Sequence, residues 1–254
     1  MNFGRLLFCL VAVSLFVTAA TVEQNPKGIT VPAGQTLELV NRTIQTPSVL
    51  VEDGGTLVLS GTTLLMSGAT DGAANLWVKK GGSMQILVGS NITSSNDKNY
   101  TFWVDAGSAF EMRDSRINRC GYQLAGEKNR GLYVQANNAI VENNVFGDNY
   151  YCLYLNGTQS AKVIGNTFIV CSQQALVIQY SISAEVSSND FGENSPTKFS
   201  LAFTSSLNSV ISDNVFHHIY GLDIGYGTNS TNARNNSFEY VGGFESVLVG
   251  APGC

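Results

Sequence analysis

The chain has 254 residues, 13% of them charged and 44% apolar, with 14 Lys and Arg against 19 Asp and Glu. That balance, without any basic cluster, excludes the electrostatic footprint of a nucleic-acid binder. An aromatic share of 10% with a net charge of only −5 likewise excludes a disordered tail and supplies enough apolar surface for a core.

The first element in chain order is a targeting segment. Arg5 gives a positive start, Leu6 to Val17 is a short apolar run, and Thr18-Ala19-Ala20 offers the small residues that signal peptidase requires. The run is shorter than the about 20 apolar residues that cross a bilayer, and no second hydrophobic stretch follows. Residues 1–20 are therefore read as a signal peptide, and 21–254 as one exported domain without a transmembrane segment.

From there on, an apolar-x-apolar triplet returns ten times, from Ile29-Thr30-Val31 through Leu76-Trp77-Val78, Leu132-Tyr133-Val134 and Leu201-Ala202-Phe203 to Val247-Leu248-Val249. The mean period is about 24 residues. A second triplet sits inside each repeat, as in Leu57-Val58-Leu59, Met84-Gln85-Ile86 and Ala161-Lys162-Val163, and a third piece ends in Ile44, Leu64, Ile92, Ile117, Phe146, Phe168, Phe191, Phe216 and Phe238. Alternation of this kind in pieces of about three residues predicts very short strands, with outer side chains inward and the middle one outward, and excludes helices. Three such strands per repeat describe one coil of a single-stranded parallel β-helix, an all-β solenoid. About ten coils spaced by about 4.8 Å would make a rod on the order of 45 Å long.

Five successive coils carry Asn two positions before the Phe: Asn144, Asn166, Asn189, Asn214 and Asn236, with Thr62, Ser90 and Ser115 in that place earlier. Stacked Asn at a corner can satisfy turn backbone and one another, and it tolerates left-handed backbone. With these residues the chain resembles the right-handed parallel β-helices of the pectate-lyase-like superfamily, including its carbohydrate-binding and sugar-hydrolase repeats. The resemblance implies that a lyase would cluster calcium-binding carboxylates beside an Arg or Lys base, and that a hydrolase would group two or three Asp on adjacent coils. The repeat register shows neither: Asp213 lines up with Ser188 and Asn235, Asp190 with Thr167 and Val215, and Asp223 with Ala202 and Leu248. Glu185 falls beside Lys162 and Glu142 beside Arg113, as ordinary cross-strand charge pairs.

The catalytic candidates are His217 and His218, which face Glu239 in the next coil and Glu193 in the previous one. Two adjacent His on a turn do not share a face, so the corner is read as solvated, with no metal and no cofactor. The binding candidates are Trp77, Trp103, Tyr133 and Tyr154, the middle residues of four consecutive first triplets. They are expected to point outward as an aromatic strip suited to the apolar faces of sugars, unless the longer stretch from Asn118 to Arg130 folds over them. Cys120, Cys152 and Cys171 are disulfide candidates; register allows Cys152 to reach either of the others, while Cys120 and Cys171 lie two coils apart and beyond reach. Sequons stand at Asn41, Asn91, Asn99, Asn156, Asn229 and Asn235. The last triplet opens a coil only five residues before Cys254, which suggests a truncated end or one covered by another subunit.

Three readings follow. The leading one is a secreted or cell-surface module, structural or glycan-binding, whose partner is a polysaccharide or cell-surface glycan. The second is an extracellular polysaccharide lyase or glycoside hydrolase. The third is a surface-layer or adhesin component that associates end to end.

Overall fold

A strand of three or four residues can bury only two side chains, so its stability depends on the coils above and below. The structure, a computed structural model, describes residues 21–192, 200–217 and 221–239, and the backbone of 247–249. Residues 1–20, Glu193, His218 and Cys254 lie outside the described residues.

Three parallel sheets wind along the rod. The front sheet holds ten strands from Ile29–Val31 to Val247–Val249, the flank sheet nine from Thr36–Val40 to Asn232–Arg234, and the back sheet ten from Val22–Gln24 to Ser237–Phe238. Each strand pairs with its equivalent one coil away, as Leu76 with Phe102 and Val78 with Val104. Ten front strands enclose nine complete turns of a right-handed parallel β-helix. In the strand Asn75–Val78 the alternation read from the sequence is the alternation of burial: Leu76 and Val78 are fully buried, and Trp77 between them is half-buried; from Gly131–Val134 to Leu201–Thr204 the middle residues of the front strands are buried as well.

One core runs from Ile29 to Leu222. In its C-terminal half Phe146, Phe168, Phe191, Phe216 and Phe238 stack face to face, with centroids 4.8–5.0 Å apart. That spacing is the inter-strand distance itself, so each ring stays over the next without leaving its coil.

The corner before each back strand after the first contains one left-handed residue: Asn41, Gly61, Gly89, Asp114, Asn143, Gly165, Ser188, Asp213 or Asn235, with φ between 47° and 75°. This corrects the sequence expectation, which gave the left-handed backbone to the ladder asparagines. The bend falls one residue earlier, and the ladder side chain follows it already turned inward. There Asn166 Oδ1 accepts from Asn144 N at 2.9 Å and from Asn144 Nδ2 at 3.0 Å, while Asn166 Nδ2 donates to Val141 O at 2.8 Å. The pattern repeats through Asn189, Asn214 and Asn236. Every amide group in the stack is thereby used, as buried polar groups must be.

Candidate ligand-binding face

The front sheet positions the aromatic residues. Parallel register sets Trp103 beside both Trp77 and Tyr133, and Tyr133 beside Tyr154. The indoles stand with centroids 5.3 Å apart and the phenols 5.5 Å apart.

The chain leaves the rod after Asn118 and returns at Gly131, carrying a short 3-10 turn over Glu127–Asn129. Two glycines pinch the base of this excursion. Gly131 has φ 116°, and a Cβ there would sit 1.9 Å from Tyr151 O; a Cβ on Gly121, φ 81°, would sit 2.4 Å from Gly131 N. Only glycine allows both the backbone sign and the close approach.

The excursion lies on the aromatic row. Tyr133 and Tyr154 are 3% and 4% exposed and form a small second core with Val177, against which Trp103 and Tyr151 pack. Tyr133 Oη donates to Glu127 Oε2 at 2.7 Å and accepts from Asn156 Nδ2. Arg130 Nη1 donates to Tyr154 Oη at 2.5 Å, Tyr154 Oη donates to Gln179 Oε1, and the guanidinium lies 4.8 Å over the Tyr154 ring. Burial pushes both phenol pKa values upward, so these hydroxyls stay protonated donors.

The four rings therefore form no exposed strip: two are buried and two half-buried, the alternative in which the stretch from Asn118 to Arg130 folds over them. The reason is energetic: bare phenol and indole faces gain by burial under a segment whose Glu127 and Arg130 satisfy the hydroxyls. Trp77 and Trp103 remain half-buried at the margin of the cover. Trp77 Nε1 donates to Asp105 Oδ2 at 2.7 Å. Lys128 Nζ stands 5.0 Å from the Trp77 ring and 4.6 Å from the Trp103 ring. Lys79 Nζ lies 5.2 Å from the Trp77 ring and pairs with Glu52 at 3.4 Å. The site thus offers two ring faces, a carboxylate and ammonium groups, a set suited to packing and hydrogen-bonding a polar ring compound.

Of the catalytic candidates, His217 and Glu239 come together. His217 Nδ1 lies 2.9 Å from Glu239 Oε2, and its Nε2 lies 3.1 Å from Asp190 Oδ1. The three sit on three successive coils at the end of the back sheet, a file in which two carboxylates bracket one imidazole. Asp190 was not read as a partner from the sequence, because its register neighbours are Thr167 and Val215; His217 stands one residue beyond the strand and leans back to reach it.

Matches to the right-handed β-helix region cover residues 18–168 and 80–238. The chain belongs to the right-handed β-helix family. No curated protein matches the β-helix in sequence. Among solved structures it is similar to the Dettilon tailspike protein, with 11% identity and TM-score 0.48 over 84% of this chain and 42% of that one. It is similar to the enzymatically active domain of Bacteriophage CBA120 tailspike protein 2, at 13% and 0.46 over 92% and 42%. A third similarity is to the periplasmic alginate epimerase AlgG, at 12% and 0.36 over 91% and 78%. The β-helix spans less than half the length of the two tailspike chains.

The remaining sequence candidates sit around the rod. Cys152 is joined to Cys171 with Cα atoms 5.6 Å apart, and Cys120 is a buried thiol whose pKa burial pushes up. Asn41, Asn229 and Asn235 are exposed. The amides of Asn99 and Asn156 are in use, the first donating to Gly121 O at 2.6 Å and the second to Tyr133; Asn91 Oδ1 accepts from Asn118. Lys162 pairs with Glu185 at 3.7 Å, and Arg113 with Glu142. Arg113 also binds Glu111 at 2.5 Å, beside a cavity of about 420 Å³ lined by Gln85, Ser108, Asn137 and Asn138. Sequence reading named the stretch from Asn118 to Arg130 as a possible cover but not the roles of Glu127, Lys128 and Arg130 within it, and it missed Asp105. Asp105 follows its triplet directly and could have been found; the other three belong to an excursion without period.

Proposed function

We propose that this β-helix is an extracellular glycan-binding module that uses the Trp77 and Trp103 pair on the outer face of its front sheet. The observation that carries the reading is the half-open indole pair flanked by Asp105, Lys79 and Lys128. Sugar rings present apolar C–H faces to aromatic rings and hydroxyls to charged neighbours. Export is supported by the signal-like residues 1–20 and by the Cys152–Cys171 bond, which suits an oxidising compartment; among the described residues no helix is long and apolar enough to cross a membrane.

A glycan array read for retention and for product release tests this. Retention without turnover is expected, and it falls at least about tenfold in Trp77→Ala/Trp103→Ala, the loss of two stacked rings. Unchanged retention in a variant with an intact melting transition would overturn it. The polysaccharide lyase or hydrolase reading has one observation in its favour, the Asp190–His217–Glu239 file. Product release that disappears in His217→Ala would establish it in place of the binding reading.

A further inference from the structure

Lys128 is exposed and, among the described residues, makes no ion pair; its ammonium is shared between the Trp77 and Trp103 faces. Asp105, at the Trp77 indole edge, also makes no ion pair among the described residues, its carboxylate taking only the Trp77 indole N–H. Beneath the same cover, Trp103 Nε1 is buried without an acceptor. An indole pair that draws an ammonium, a neighbouring carboxylate without a counter-ion and an unpartnered N–H describe a cationic ligand site with one hydrogen bond still to be made.

We infer that the Trp77 and Trp103 pair is an ammonium subsite, filled in this structure by the protein's own Lys128, and that its ligand is a glycan carrying free amino groups. This rests on the glycan-binding reading and names the substrate class. An amino sugar supplies the ammonium for the rings and Asp105, a flat C–H face for the second indole, and a ring or hydroxyl oxygen for Trp103 Nε1. Binding requires Lys128 to leave, and the glycine-pinched excursion that carries it is joined to the rod at Gly121 and Gly131. Lys128 therefore competes with the ligand and sets its affinity.

Calorimetric titration of the full chain with a glucosamine hexamer, an N-acetylglucosamine hexamer and hexalysine, at a pH that protonates the amines, separates the outcomes. The glucosamine hexamer is expected to bind about three- to thirtyfold more tightly than the acetylated one. Lys128→Ala, on an exposed turn, is expected to tighten it about threefold or more by removing the competitor, and Trp103→Ala to weaken it. Equal binding of the two sugars, with no gain in Lys128→Ala, would remove the ammonium subsite and leave glycan binding standing. Absence of binding by any sugar, here and on the array, would overturn both. Tighter binding of hexalysine than of the glucosamine hexamer would make the ligand a basic peptide and overturn the sugar assignment.

Discussion

From Thr62 to Ser115 the corner that leads into the back strand is lined by hydroxyls, Thr62, Ser90 and Ser115; from Asn144 onward it is lined by amides. Both kinds of side chain send a donor back to the preceding coil, Thr62 Oγ1 to Leu39 O at 2.8 Å and Asn144 Nδ2 to Met112 O at 3.0 Å. They differ in what is left over. A hydroxyl has one proton, and after donating it can only accept, as Ser90 Oγ does from Thr62 N at 3.4 Å. An amide has a second proton and an oxygen with two lone pairs. Asn189 therefore binds Val163 O, the backbone and side chain of Asn166, and Asn214, tying three coils together. The core changes at the same place, from Ile44, Leu64, Ile92 and Ile117 to the stacked phenylalanines. One half of the rod is held by neighbours in pairs, and the other by columns in which each member serves two neighbours.

That difference predicts unequal costs for equivalent substitutions. Asn189→Ala removes both faces of its amide and leaves buried donors on Asn166 and a buried acceptor at Val163; the expected loss is about 3–5 kcal/mol. For a domain of this length that is a fall in Tm of about 10 °C. Thr62→Ala, at the same corner of the other half, is expected to cost about 1–2 kcal/mol. Denaturant melts of the two variants, with limited proteolysis to locate the first cut, check the contrast. Cuts should open in the C-terminal coils of Asn189→Ala, because stability in a stacked repeat is a sum of neighbour terms. Equal losses in the two variants would mean that the ladder is no more than a row of separate caps.

The second test acts at the junction of the two regions. Cys152–Cys171 crosses between adjacent coils just where the phenylalanine column begins, closing a sequence separation of 19 residues. Restricting the unfolded chain over such a loop contributes about 3 kcal/mol. Cys152→Ala/Cys171→Ala is expected to lose that amount, and wild type with a reductant should melt like the double variant. A loss below about 1 kcal/mol would show that the amide and phenyl columns hold the C-terminal coils without it.

The rod itself was legible in the sequence because its strands obey a period of two and its coils a nearly constant spacing. Leu76, Trp77 and Val78 declare in and out by themselves, and Phe146 to Phe238 declare the stack. The aromatic site was half legible. Tyr133 and Tyr154 sit where the register puts them, but what covers them is decided by tertiary contact: Glu127, Lys128 and Arg130 follow no repeat, and only the fold brings them over rings. The left-handed corner was displaced by one residue because Asn, Asp, Ser and Gly all tolerate that backbone, so composition alone does not distinguish the bend from the ladder beside it. Register left Cys152 two partners, and geometry selects Cys171.

The smallest effect compares the apolar stretch of the front sheet's middle column with the carboxyl that follows it. The middle residues Tyr133 and Tyr154 are buried under the excursion, Val177 is buried against them, and Ala202 is 4% exposed. One coil further the column holds Asp223, half-buried, in register with Ala202 and Leu248. Burial raises the pKa of this carboxyl above its ordinary value of 3.8. A carboxyl raised on folding favours the native state while it is protonated, and that contribution is lost as pH rises through the folded value. At neutral pH the charge is therefore a net cost, softened by solvent because the group is about half exposed. Asp223→Asn keeps the shape and removes the charge, so it should melt slightly above wild type at pH 7. The gain should shrink as pH falls toward and below the ordinary value of 3.8, where wild type is itself neutral. A gain that persists at low pH would assign the difference to the new amide's hydrogen bonds. A loss at pH 7 would mean that the carboxylate is held by a favourable partner, and that this end of the front sheet is a charged site rather than the tail of a covered apolar column.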